Sequence, residues 1–464
     1  MRKTLWILFA LLLVTPASVL AQEAAWQSTA GWEDSSIGTR DGRLLFEGRM
    51  QNLFLWRNDS DFDRTAPYYN GQGQDSGVLG TFIAPRLEIR PTKELRIVWE
   101  TEIGLNLWSA NDANQYDTAS DSSFRLAIRQ LYTEGRFFDG MLGFRAGYEQ
   151  LFDPSGLFLG HWLGAANLSG HFRWGTLTLT AAQVPDQTYE GVNYDSNNFN
   201  SDTFVYGLRL DLPVELLTCT FSAWGMHDTQ ILRQPLDLGV FTAQLTGDFQ
   251  DMKFIIDANL QVGNTQGRAT NGDELTIAWS AQGTLDWKVR LDHKLAFLLR
   301  LNTLFLSGDD DHDGNDFNGA WFYSGKSRSR TLLLTEDELR DRGGNLDERM
   351  AERRQGDEGK FYVIRPGLSV SDITLGLDAF GFFRPQVTVG TAFVLNPENA
   401  LGNRFVGVET DLHLEFYFKE FLSFDVVGSA LFPGKAASAL VNASANRLAT
   451  DPIGQIEAVL TLWF

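Results

Sequence analysis

The chain has 464 residues, with 44 Gly, 34 Phe and 13 Trp beside only 43% hydrophobic residues, so it is rich in aromatics without being rich in apolar runs. After the N-terminal segment no stretch approaches the roughly 18 uninterrupted apolar residues of a spanning helix, which excludes a helical membrane protein. A formal charge of −20 excludes nucleic-acid binding, which needs clustered Lys and Arg.

Residues 1–21 read as a secretory signal. Arg2 and Lys3 give a positive start, Leu5 to Val14 a short apolar core, and Val19-Leu20-Ala21 the small residues before a cleavage point. No cysteine follows closely, so the signal is not of the lipoprotein kind. Residues 22–464 carry no Pro-rich or Ser-rich bridge and no change of pattern between halves, so a single domain is expected. Cys219 is the only cysteine; it has no partner for an internal disulfide and reads as a small apolar residue on a strand.

From residue 42 onward the chain alternates apolar and polar residues over 8 to 15 positions at a time, punctuated by turn residues. The pattern predicts strands at 42–57, 78–91, 94–108, 123–136, 140–150, 166–174, 175–183, 203–212, 216–228, 238–249, 252–264, 274–290, 293–306, 360–371, 374–384, 404–418, 421–432 and 453–464. Eighteen is an even number, as an antiparallel bacterial barrel requires when both ends of the chain lie on one side. Short links such as 91–93, 213–215, 250–251 and 419–420 alternate without a violation with longer ones at 58–77, 109–122, 151–165, 184–202, 229–237, 265–273, 307–359, 385–403 and 433–452. A soluble sandwich has no reason to show that polarity. The expected fold is therefore an all-β transmembrane antiparallel β-barrel of about 18 strands in a Gram-negative outer membrane, with long extracellular loops, short periplasmic turns and lipid and lipopolysaccharide around it.

On each strand one face suits lipid, and the other carries charge that needs water or partners. The charged face supplies the candidate lumen residues: Arg86, Arg90, Arg96, Arg129, Arg145, Arg209, Arg300 and Arg365, with Glu100, Glu102, Glu409 and Asp411 of the opposite sign. Further acids, Glu88, Glu149, Asp211 and Glu415, share those faces. Arginine suits contact with a solute carboxylate, because its fork holds one bidentately. The alternative is that these charges pair with one another and fill a wet interior.

Asp309-x-Asp311-x-Asp313-Gly314 has the opening spacing of a calcium loop, and Asp316 adds a further oxygen donor. The bidentate acid six residues after the glycine is missing, since position 320 is Ala. The two readings are a calcium site on Asp309, Asp311, Asp313 and Asp316, and a solvated acidic loop. Thr335-Glu336-Asp337-Glu338 fits a capping box opening a charged helix toward Arg354, interrupted at Gly343-Gly344. The 307–359 link is too long for a passive turn; it either folds into the mouth as a constriction or stands outside as an ornament. Six histidines at 161, 171, 227, 293, 312 and 413 show no metal-ligand spacing, and no nucleophile motif is present, so no catalytic residue is expected.

Several segments resemble the alginate-export outer-membrane porins. They are Arg404-Phe405-Val406-Gly407-Val408-Glu409-Thr410-Asp411-Leu412 with Leu431-Phe432-Pro433-Gly434, the loop entry Leu306-Ser307-Gly308-Asp309-Asp310-Asp311, and Arg129-Gln130-Leu131-Tyr132 with 144–151. The last strand, ending on Phe464, also resembles the signal read by the barrel-assembly machinery. The family resemblance implies an eighteen-stranded monomeric barrel that passes an anionic polysaccharide outward, with periplasmic secretion partners. The alternatives are a substrate-selective diffusion porin for small solutes, moving inward, and a structural or receptor barrel with calcium-loaded loops.

Overall fold

The computed structural model describes residues 37–38, 43–58, 76–110, 124–184, 203–228, 236–266, 273–309, 319–323, 327–331, 333–334, 352–353, 362–363, 366–418, 421–442 and 448–464. The long strands are Leu44–Asn58 (β1), Ser76–Ile89 (β2), Leu95–Ala110 (β3), Phe124–Phe137 (β4), Leu142–Phe152 (β5) and Gly160–Phe172 (β6). They continue as Gly175–Val184 (β7), Thr203–Val214 (β8), Leu217–Asp228 (β9), Leu236–Phe249 (β10), Met252–Gln266 (β11) and Asp273–Arg290 (β12). The ring is completed by Leu295–Leu306 (β13), Leu368–Ala379 (β14), Phe383–Val394 (β15), Phe405–Phe418 (β16), Leu422–Pro433 (β17) and Ile453–Trp463 (β18). One helix, Lys435–Asn442 (α1), follows β17.

Every strand pairs antiparallel with the next, and β1 pairs with β18 from Arg49↔Trp463 to Asn58↔Gly454. The chain is thus a closed barrel of 18 strands, with the two-residue strand 37–38 appended outside the ring on β1. Closure removes the free outermost edges that an open sheet would present to lipid. The seam is finished by reciprocal bonds at its end, Gly48 N–H to the Phe464 carbonyl at 2.7 Å and Phe464 N–H to the Gly48 carbonyl at 2.9 Å.

The two-residue period sorts side chains by face. On β12, Leu275, Ile277 and Trp279 are exposed to the outside, whereas Thr276, Ala278, Ser280, Gln282 and Thr284 are buried toward the lumen. Cys219 lies on the outer face of β9, between lumen-facing Thr218 and Thr220, which agrees with its reading as a small strand residue. Exposed aromatics gather at the short-turn end: Phe138, Trp174, Phe380, Phe382 and Phe421, with Phe172 stacked on Trp174 at 5.1 Å. Such a girdle marks a lipid–water boundary.

Most predicted strands agree with the structure to within a few residues, but three differ. Strand β6 starts six residues early, at Gly160, so the preceding link shrinks to 153–159. Strands β14 and β15 lie eight to ten residues later than the predicted 360–371 and 374–384. The predicted turn at 372–373 is mid-strand, and the true turn is at Phe380 and Gly381, both with positive φ (58° and 71°). Glu352–Arg353 pairs as strand with Tyr362–Val363, so the predicted helix does not extend over those two residues. The capping box at 335–338 and the signal segment lie outside the described residues.

Candidate functional site

The inner wall is divided along the barrel axis. Near the extracellular ends of the strands the lumen face is apolar: Leu163, Val205, Met226, Leu238, Val240, Ala278, Leu304, Leu306, Val370 and Leu431 are all buried there. Two inward segments pack into this collar. One is the 153–159 link, through Leu157, Phe158 and Leu159; the other belongs to the long 307–367 link, through Trp321, Phe322, Leu333 and Leu334. Burying these seven side chains, three in one segment and four in the other, contributes roughly 2 kcal/mol each, which offsets the ordering of an irregular loop.

Hydrogen bonds from the wall fasten the inward segments, beginning at the collar, where Gln261 pairs with Val240 and Ala278 and Glu409 with Leu431, and continuing deeper into the barrel. Gln261 of β11 grips Phe322 twice, accepting its N–H at 3.0 Å and donating to its carbonyl at 3.1 Å. Buried Glu409 of β16 accepts the N–H groups of Leu333 at 2.5 Å and Leu334 at 2.6 Å. Ser329 donates to Asp372 of β14 at 2.7 Å, and Asn302 of β13 donates to the same carboxylate at 3.0 Å. Gly390 of β15 is needed for close approach, because a Cβ there would stand 2.1 Å from the methyl of Thr331. Arg328 reaches Asp257 of β11 at 2.5 Å and the carbonyl of Ser155 at 3.2 Å.

The shorter segment is organised by Asp153. Its carboxylate accepts the N–H groups of Ser155, Phe158 and Leu159 at 3.0, 3.0 and 2.8 Å, and the Ser155 hydroxyl. Burial pushes this carboxyl above its ordinary 3.8, against the pull of those hydrogen bonds in the opposite direction. Gln244 and Gln282 donate to the carbonyls of Pro154 and Ser155, both at 2.5 Å, tying the turn to β10 and β12.

On the far side of the ring, β1 to β5 present a continuous lane of paired charges to the lumen. Arg86 lies 3.8 Å from both Glu47 and Glu88, Arg90 lies 2.5 Å from Glu88, and Arg96 contacts Glu134 at 3.0 Å. Arg129 donates to Glu102 at 2.8 Å, its side chain directed inward by a bulge in β4 opposite Glu100 and Thr101. Arg145 bridges Glu134 and Glu149 at 2.9 and 2.8 Å and lies over the ring of Tyr132. These guanidinium side chains keep between 13% and 47% of their surface exposed, so each pair leaves cationic surface facing the lumen.

The structure brings Arg86, Arg90, Arg96, Glu100, Glu102, Arg129 and Arg145 together in this lane. It places Arg209 elsewhere, on Asp211 of its own strand at 2.9 Å, and Arg300 near Asp286 at 3.4 Å. Glu409 is a buried loop anchor, and Asp411 sits two positions along the same lumen face. Arg365 lies outside the described residues; the strand predicted at 360–371 begins at Leu368. Of the four calcium candidates only Asp309 is described; its carbonyl accepts from Asn396 and Asn399, and Asp311, Asp313 and Asp316 lie outside. Among the described residues no cluster of three or more His, Cys, Asp or Glu is placed to hold a metal.

Sequence reasoning missed Asp153, Asp257, Arg328 and Asp372. Asp257 was legible as a polar residue at a lumen position of a long strand. Arg328, within Ser327-Arg328-Ser329-Arg330, carries no sequence mark of its role.

No protein-family model matches the sequence, and no curated protein does. Solved structures match the barrel nearly end to end. OccK9 (OpdG) of Pseudomonas aeruginosa aligns with a TM-score of 0.57 at 10% identity, over 94% of this chain and 99% of that one. OccAB2 of Acinetobacter baumannii gives 0.56 at 12% identity, over 94% and 99%. The outer membrane protein OpdK of Pseudomonas aeruginosa gives 0.55 at 11%, over 91% and 98%. The chain has the closed 18-stranded barrel fold of the Gram-negative outer-membrane porins. At these identities the likeness is one of fold.

Proposed function

We propose that this barrel is a substrate-selective diffusion channel for small hydrophilic solutes, with carboxylate-bearing solutes held in transit by the arginines of the β1–β5 lane. The observation that carries the reading is the opposition of two features. Inward segments are fastened to the wall from β10 to β16, and the paired-charge lane lies on the other side of the ring. Traffic is thereby confined to a strip where exposed guanidinium surface meets the solute. An arginine that already pairs with a carboxylate exchanges one partner for another, so capture is reversible, as passage requires.

A structural relative, OpdK, has been solved with vanillate, a small aromatic carboxylate, which supports the small-solute reading over the polysaccharide export that the sequence resemblance implies. The test is single-channel conductance of the purified barrel in a planar bilayer, with vanillate and an oligouronate as probes. Millimolar vanillate is expected to reduce the current, and Arg145→Ala to weaken that block by about tenfold, the worth of one charge-assisted bond. Block and permeation by oligouronate, with indifference to vanillate, would establish the polysaccharide reading instead.

A further inference from the structure

The inward segments have two unlike parts. Their apolar residues sit in the collar near the extracellular strand ends, among Leu238, Val240, Ala278 and Leu306. Their polar tips, Pro154-Ser155 and Arg328-Ser329, reach further toward the periplasm. On β11 the collar level runs from Gly263, the partner of Leu238, to Gln261, the partner of Val240 and Ala278, and the tips touch Asp257. Asp257 lies four residues beyond the collar's inner edge, about 13 Å of strand.

One side chain joins the two tips to each other at that depth, beside the wall residues Gln244 and Gln282 that hold the first tip and Asp372 that holds the second. Arg328 Nη1 donates to Asp257 Oδ2 at 2.5 Å, and Nη2 donates to the carbonyls of Ser155 at 3.2 Å and Pro154 at 3.5 Å. Its own N–H reaches Gln282 at 3.4 Å, and its carbonyl accepts from Arg300 at 3.4 Å. The carboxylate beneath it has no exposed surface.

The wall beside this latch is not shaped for permanent cover. Ser222, Thr242 and Asn259 form one cross-strand row on β9, β10 and β11, each at most 7% exposed. Among the described residues Ser222 Oγ, Thr242 Oγ1 and Asn259 Oδ1 have no hydrogen-bond partner while the tips are down. Buried polar atoms without partners favour any state that wets them. Lifting the tips gives these groups water, and the collar keeps the rest of both segments in place.

We propose that Arg328 is the positioning residue that sets the aperture of the channel, latching both inward tips to the β11–β12 wall. The inference rests on the diffusion-channel reading for its consequence, but the position of the tips is tested separately. Guanidinium geometry is required, because a lysine ammonium is a point charge that cannot serve the carboxylate and two carbonyls in one arrangement.

The test places a reporter in the covered wall. Ser280 of β12 is 1% exposed and accepts from Asn259 at 3.0 Å; Ser280→Cys is made in a Cys219→Ser background. Labelling by a membrane-impermeant thiol reagent is expected to be slow with Arg328 present. In Arg328→Met it is expected to be on the order of a hundredfold faster, because removing one partner leaves a buried carboxylate unpaired. Arg328→Lys falls between them, and unitary conductance rises in the same order. Asp257→Asn, close to isosteric, breaks the pair from the other side and serves should Arg328→Met fail to fold; unboiled gel migration reports folding in each case. Slow labelling and unchanged conductance in both Arg328→Met and Asp257→Asn overturn the proposal and leave the channel reading intact. Fast labelling in a barrel whose current ignores small carboxylates upholds the latch and sinks the channel reading.

Discussion

Glu409→Gln isolates the second fastening of the long inward segment. In the native barrel both carboxylate oxygens are engaged, one by the Leu333 N–H at 2.5 Å and the other by the Leu334 N–H at 2.6 Å, on a side chain with no exposure to water. Glutamine keeps the volume but offers one acceptor oxygen, and its amide nitrogen then confronts a backbone donor. One charge-assisted bond disappears, at about 1.5–3 kcal/mol, and one buried N–H is left without a partner. With partial relaxation the opening free energy of the 333–334 turn falls by about 2–3 kcal/mol, roughly 30- to 150-fold in exchange rate. Hydrogen exchange with mass spectrometry on peptides covering 319–334 measures this directly. The strands act as the internal control, since their ladders do not involve Glu409's side chain and their protection is expected to hold. Protection of Leu333 and Leu334 unchanged within about threefold would refute the claim that Glu409 anchors the segment.

Two further outcomes follow from the same structure. Because burial lifts the Asp153 carboxyl, the folded turn binds a proton more readily than the unfolded one, so its stability decreases as pH rises through the raised value. Asp153→Asn cannot ionise and is expected to flatten that dependence, read as the rate of proteolytic nicking at 153–159 across pH 4 to 8, on the scale set by a reference carboxyl near pH 4. On the lipid side, Leu208 lies in the middle of β8 and is 43% exposed, so Leu208→Arg is expected to cost about 2–4 kcal/mol, seen as a lowered urea midpoint in lipid vesicles.

The barrel was legible because its defining constraint acts on every second residue. A strand between lipid and water must alternate, and a closed ring must alternate long and short links. Both marks stand in the residues themselves, and for the same reason the lane charges of β2, β3 and β5 could be named by parity, whereas Arg129 sits at the β4 bulge, where parity breaks. The misplaced strands β14 and β15 show where parity stops helping. Asp372 looked like a turn residue, yet it sits in a strand because Asn302 and Ser329 satisfy it inside the barrel. The real turn hid among aromatics, because Phe380 and Phe382 serve the membrane boundary. Arg328 was invisible for a different reason. Its partners stand 71 positions away on Asp257 and 173 on Ser155, and nothing local in a loop announces a contact of that range.

On the proposed channel reading, the mixed signs of the lumen set how solutes are discriminated. Had the lane carried only arginine, it would have held anions tightly and released them slowly. Each guanidinium is instead pre-paired: Arg145 with Glu134 and Glu149, Arg129 with Glu102, Arg96 with Glu134. The attraction felt by a passing carboxylate is then the difference between two similar bonds, about 1 kcal/mol per site and not the full strength of either. A series of weak, equivalent sites along one lane lets a small solute step from one arginine to the next. A long polyanion would have to displace many pairs at once, and its cost would grow with every residue engaged. Selection by length thus follows from charge balance, and the latched tips, which keep solutes in the lane, act in the same direction.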